Sequence, residues 1–155
     1  METIRETAMD AWIPHRGAMQ LLDRIVQVDA ESVVAELRVP ADGLFMQDGA
    51  VPAWVGIEYM AQTISAWAAG RHQQAGGQGA KLGLLLGSRR YTAHCGTFPA
   101  GALLRIAARC EIIGDNGLGL FDCRIEMDGK EVATANVSVF EPEDASAFLK
   151  REASA

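Results

Sequence analysis

The run "AWVGIEYMAQTISAWAA", residues 53–69, contains no proline and a single acidic residue, Glu58. Its spacing predicts a helix over 53–69, with Gly70 as a natural stop. A surface helix sets a polar face against an apolar one. This segment hardly has a polar face, so other structure must surround it. Its length is close to that of a membrane span, but an acid at the centre of a span costs ~2.5–3.5 kcal/mol on insertion scales, even before Gln62 is counted. A soluble core helix is the better account, and the rest of the chain has to wrap it.

The flanks offer sheet for that purpose. "LLDRIVQVDAESVVAELRV", residues 21–39, reads as two strands about a polar turn at Asp29 to Ser32. In the second of them Val33, Ala35, Leu37 and Val39 alternate with Val34, Glu36 and Arg38, the pattern of a half-buried strand. Residues 40–52 carry Pro40, Gly43, Gly49 and Pro52 and read as an irregular loop. After "GGQGA" come four strand-like runs: "LGLLLGSRRYT", "ALLRIAARCEII", "LGLFDCRIEM" and "KEVATANVSVF". Asp128-Gly129 joins the last two and is a strong hairpin signal, because both central residues of a type I′ turn need positive φ. The opening residues to Trp12 read as a short amphipathic helix stopped by Pro14. The expected fold is α+β: a curved antiparallel sheet wrapped around one long central helix, with residues 1–155 forming one domain.

Composition removes several function classes. A net charge of −6 and the lack of a basic stripe argue against nucleic acid as a partner. "METIRETAMDAW" is charged and lacks the apolar core of a signal peptide, so a cytoplasmic location is expected, and "NVS" at 136–138 is then no glycosylation site. Cys95, Cys110 and Cys123 have no paired spacing and read as small hydrophobes of a reducing compartment. His15, His72 and His94 show no metal-ligand spacing, so no metal or cofactor is expected.

Two stretches carry a family resemblance. "IPHRGAMQLLDRIVQVD", residues 13–29, is similar to the Leu-Pro-His-Arg segment leading into Leu-Val-Asp-Arg-Val of the FabZ-type 3-hydroxyacyl-acyl carrier protein dehydratases. "VPAWVGIEYMAQ", residues 51–62, resembles that family's Met-Pro-Gly-Val-Leu-x-x-Glu-Ala-Met-Ala-Gln, and "FPAGALLRI" resembles its Val-Pro-Gly-Asp at a late strand. "LFMQDGAVPAW" with "EYMAQT" and "LLLGSRRY" resembles still more closely the ApeP-like dehydratases of aryl-polyene gene clusters. The resemblance implies the hotdog fold and dehydration of 3-hydroxyacyl thioesters on acyl carrier protein, in fatty-acid or polyene biosynthesis. It also implies dimers whose active sites form between subunits. One departure stands out: where that family has the histidine of Gly-His-Phe-Pro-Gly, this chain has Leu44.

Dehydration needs a base for the Cα proton, an acid for the leaving hydroxyl and a donor for the thioester oxygen. Glu58 is the expected acid–base group, with burial expected to raise its pKa towards neutrality. The alternative for Glu58 is a buried structural acid, bonded to backbone amides or paired with an arginine such as Arg90. Gln62 and Ser65, four and seven residues on, share its helical face and could orient it. By resemblance, the backbone N–H at Ala53 faces the thioester oxygen, and Trp54 is the next such donor at the helix start. His15 is the expected partner for Glu58 in place of the missing imidazole, with His94 a second candidate and His72 solvated. Leu44, Phe45, Met46, Trp54 and Tyr59 are candidate lining for an acyl tunnel, or ordinary core. An acidic carrier protein would need a local basic patch, for which Arg71, Arg89 and Arg90 are candidates. Three functions remain open: a homodimeric or heterodimeric dehydratase, a hotdog thioesterase, and a degenerate subunit completing another hotdog protein.

Overall fold

The computed structural model describes residues 2–3, 9–74, 76, 84–114 and 116–140, with backbone alone for 2–3, 84–86, 88 and 89. Apolar–polar alternation produces the strands in chain order. They are β1 (Glu2–Thr3), β2 (Arg24–Val28), β3 (Ser32–Arg38), β4 (Ala50–Pro52), β5 (Leu84–Ala93), β6 (Thr97–Pro99), β7 (Leu103–Ile113), β8 (Leu118–Met127) and β9 (Lys130–Phe140). One seven-stranded antiparallel sheet has the order β1-β2-β3-β7-β8-β9-β5, and β4 pairs with β6 in a separate ladder. Val33, Ala35 and Leu37 of β3, Leu104, Ile106 and Ala108 of β7, and Phe121, Cys123 and Ile125 of β8 are all buried on the inner face.

That face wraps the helix α1 (Gly56–Gln74), which packs against β2, β3, β5, β7, β8 and β9. Trp67 meets Phe121 edge-on, with ring centroids 5.3 Å apart. The long apolar run is therefore a core helix, as expected. Among the described residues no helix is long and apolar enough to cross a membrane.

Two glycines explain how closely α1 fits. A Cβ added at Gly56 would run into the Tyr91 hydroxyl and lie 3.0 Å from Ile125. At Gly70 it would lie 3.2 Å from the Trp12 ring and 3.4 Å from Val28. Gly70 is thus a point of close approach inside the helix and not its stop. The helix runs on to Gln74, with Arg71 and His72 in the last turn, where cations complement the dipole. At the other end, Ala53–Val55 forms a 3₁₀ turn ahead of α1 and is not part of the α-helix.

Two further expectations are corrected. Glu2–Thr3 forms a strand rather than the start of a helix, satisfying backbone groups along the edge of β2, and Met9–Ala11 is a 3₁₀ turn; residues 4–8 lie outside the described residues. Residues 40–52 are not wholly irregular, because Ala50–Pro52 pairs with Thr97–Pro99. Asp48 (φ 51°) and Gly49 (φ 82°) turn the chain there, just as Asp128 (φ 50°) and Gly129 (φ 88°) turn it between β8 and β9.

Candidate active site

Glu58 lies in the first turn of α1, and the segment carrying His15 runs past it. His15 Nε2 is 3.4 Å from Glu58 Oε1, with side chains 23% and 29% exposed respectively. Gln62 Nε2 donates to the same carboxylate oxygen at 3.3 Å and to the Met19 carbonyl at 2.7 Å, while its Oε1 accepts from the Leu21 N–H at 3.0 Å. This fully buried amide therefore ties the 19–21 segment to the helix and orients Glu58 at the same time.

Arg16 shapes the other end of the segment. Its guanidinium donates to the carbonyls of Ile13 (2.6 Å), His15 (2.9 Å) and Asp10 (3.1 Å), and Gln20 Nε2 donates to Asp10 Oδ1 at 2.8 Å. The arginine after His15 is thus a strut. His15 Nδ1 is buried without a hydrogen-bond partner.

The electrostatics of Glu58 differ from the expectation. Burial pushes its pKa up, but hydrogen bonds from His15 and Gln62, together with the charge of His15, outweigh burial and hold it below the ordinary value. Glu58 is therefore ionised at neutral pH and placed to act as a base. Among the described residues its ion-pair partner is His15 and not an arginine.

At the helix start the Ala53 N–H already donates to the Gly96 carbonyl at 3.1 Å, and the Ala53 carbonyl accepts from the Tyr91 hydroxyl. The expected donor at Ala53 is therefore occupied. The N–H of Trp54 follows it in the first turn, where helical geometry supplies no carbonyl. Burial, with Cys95 adding to it, pushes the Tyr91 phenol up to about 12, which keeps it a protonated donor.

Leu44 (57%) and Trp54 (61%) are exposed, with Phe45 packed edge-on against Trp54 at 5.9 Å, and Phe45 and Met46 rest partly buried on the core. Leu44 and Tyr59, together with Leu21, Leu37 and Pro40, line a cavity of about 270 Å³ beside the site. Ser65 is buried further along the helix. His94 and Arg90 are exposed on or just after β5, His72 is partly exposed, and Arg71 stacks over the Trp67 ring at 5.0 Å. The side chain of Arg89 lies outside the described residues. Burial raises the pKa of all three thiols, which suits packing and not nucleophilic attack.

Comparison with known proteins gives the family and the fold. Residues 7–150 match the ApeP-like family, described as ApeP dehydratase. The chain belongs to the ApeP-like dehydratases, and its fold is the hotdog fold. It resembles the dehydratase heterocomplex ApeI:P from Xenorhabdus doucetiae at 27% identity and TM-score 0.85, over 94% of this chain and 97% of that one. A hypothetical thioesterase from Streptococcus pneumoniae solved with coenzyme A is 16% identical, with TM-score 0.59 over 76% of this chain and 84% of its own. The E. coli PaaI protein is 16% identical, with TM-score 0.56 over 75% and 80%. These two share the fold. No curated protein matches the sequence.

Proposed function

We propose that this chain is a subunit of a cytoplasmic dehydratase acting on 3-hydroxyacyl thioesters borne by acyl carrier protein, in fatty-acid-like or aryl-polyene synthesis. The observation that carries the reading is the His15–Glu58 contact at 3.4 Å, with Glu58 held ionised, in a chain of a dehydratase family. In this mechanism the Glu58 carboxylate takes the Cα proton, and the C–H electrons form the Cα–Cβ double bond. The Cβ–O bond breaks as the imidazolium of His15 gives its proton to the leaving hydroxyl, releasing water. Transfer of the captured proton from Glu58 to His15 restores both groups. The Trp54 N–H is the donor for the thioester oxygen as negative charge develops on it.

A second hotdog subunit fits three observations. Among the described residues β5 pairs with β9 alone and stands at the end of the sheet. Leu44 and Trp54 are exposed beside the site, and the relative of 27% identity is a heterocomplex. The occupant is a homodimeric copy or a different hotdog chain. Arg90, exposed on the strand that holds the helix start through Tyr91, is the candidate contact for the acidic carrier protein. Leu44 favours a second reading, in which this chain turns over nothing alone and completes a partner bearing the missing histidine.

Purified chain, alone and with a co-expressed hotdog partner, is to be given a 3-hydroxyacyl and a saturated acyl carrier-protein thioester. A 2-enoyl product from the first supports dehydration. Free thiol from the second would replace it with hydrolysis, and activity only with the partner selects the second reading.

A further inference from the structure

Tyr91 reaches the helix start through a break in strand pairing. Arg89 of β5 stands opposite Asn136 and Thr92 opposite Thr134, so Arg90 and Tyr91 together face the single residue Ala135. Ala135 and Val137, on either side of Asn136, are buried on the inner face. Strict alternation from Arg89 would therefore put Arg90 inside and turn Tyr91 outward. The bulge prevents this. Arg90 takes a left-handed backbone, φ 57°, stays exposed, and leaves the inward position to Tyr91. Such a φ is uncommon for a residue with a side chain and persists where its surroundings require it. Gly56 is a second device serving the same ring, being bare where any Cβ would meet the Tyr91 hydroxyl.

That hydroxyl grips one peptide unit. The Ala53 carbonyl accepts from the Tyr91 hydroxyl and also from the Gly56 N–H. Either donor alone would satisfy the oxygen, so the phenol is surplus to capping. The nitrogen of the same peptide carries the Trp54 N–H, the donor for the thioester oxygen in the reaction proposed above. A hydrogen bond to a carbonyl draws charge on to its oxygen and leaves the N–H across the planar amide more positive. It also fixes the plane, and with it the direction of the N–H. The preceding peptide is held as well, because the Ala53 N–H donates to the Gly96 carbonyl at 3.1 Å.

We infer that Tyr91 is a positioning residue for dehydration, aiming and polarising the Trp54 N–H through the carbonyl of their shared peptide. The inference rests on the dehydratase reading, which puts the thioester oxygen at Trp54. In this role Tyr91 touches no substrate and moves no proton, since burial pushes its phenol up to about 12. Charge grows on the thioester oxygen only as the Cα proton leaves, so the effect falls on kcat rather than KM.

Tyr91→Phe removes the hydroxyl alone, and the Gly56 N–H still satisfies the carbonyl, so the melting curve should stay close to that of the intact chain. The assay uses whichever assembly turns over a 3-hydroxyacyl carrier-protein thioester. There kcat should fall about tenfold, against about 10²–10³-fold for deleting a donor outright, with KM changed by about twofold or less. The pH–rate profile should drop without either limb moving. Gly56→Ala displaces the hydroxyl but keeps it, so it should lower kcat too, and by about twofold or less in a Tyr91→Phe background; it carries the same test if Tyr91→Phe does not fold. A second readout needs no turnover. It is the infrared carbonyl band of a bound acyl-pantetheine analogue with methylene in place of sulfur, a ketone that neither eliminates nor hydrolyses. The band should lie at higher frequency in Tyr91→Phe than in the intact chain. Wild-type kcat in folded Tyr91→Phe, a loss confined to KM, or an unmoved carbonyl band would each overturn the inference. A band that moves with Tyr91 in a chain that dehydrates nothing would keep the positioning and remove the reaction, and a ketone that does not bind would remove both.

Discussion

Replacing Gln62 by leucine tests how the site is held together. Leucine is close in volume and apolar, so packing survives while three hydrogen bonds go: to the Met19 carbonyl (2.7 Å), from the Leu21 N–H (3.0 Å) and to Glu58 (3.3 Å). A buried group left unsatisfied costs about 1–3 kcal/mol. Met19 is exposed and Leu21 only partly buried, so water recovers part of this, and the low end applies to each, giving about 2–3 kcal/mol in all. For a domain of this size that lowers Tm by about 5–10 °C. Thermal unfolding at fixed protein concentration measures it. Turnover should fall as well, because the segment carrying His15 loses its tie to the helix, and the acid limb of the pH profile should move up as Glu58 loses a donor. A Tm within 2 °C of wild type, with an unmoved acid limb, would refute the view that this amide pins the segment.

Other outcomes follow from the same contacts. Because the Glu58 pKa is lowered on folding, its ionised form stabilises the protein above the ordinary carboxylate range, and that contribution is lost as pH falls through the lower folded value. Glu58→Gln should cost less stability at neutral pH in a His15→Ala background than in the intact chain, measured by denaturant unfolding of the four combinations. Gly56→Ala should cost about 1–3 kcal/mol by pressing on Tyr91 and Ile125, and less in a Tyr91→Phe background. Glu36, buried on β3, accepts from Arg24 Nε at 2.9 Å and lies 3.5 Å from Arg105 Nη2; Glu36→Ala should cost about 1–3 kcal/mol, discounted because both arginine heads are exposed.

Much of the fold was legible because the core helix has almost no polar face and the strands alternate cleanly. What was hidden is tertiary. Gly70 looked like a stop because its partners, Trp12 and Val28, come from far earlier in the chain. Ala50–Pro52 looked irregular because its pairing strand begins only at Thr97, although Asp48-Gly49 carried the same turn signal as Asp128-Gly129. Glu58 stood out as an acid among apolar residues, and His15 was the expected partner. The direction of its pKa was not readable, since it depends on His15 and Gln62 converging on one oxygen. No local pattern shows that Gly96 takes the Ala53 N–H, or that Arg16 braces the segment behind His15.

The central claim is that Glu58 exchanges a proton with the substrate rather than merely occupying the core. The direct measurement is kcat/KM for a 3-hydroxyacyl carrier-protein thioester with Glu58→Gln, in whichever assembly shows turnover and with folding checked by its melting curve. A loss of about 10²–10⁴-fold with the fold intact is expected. Rates like those of the wild type in a folded variant would contradict the account.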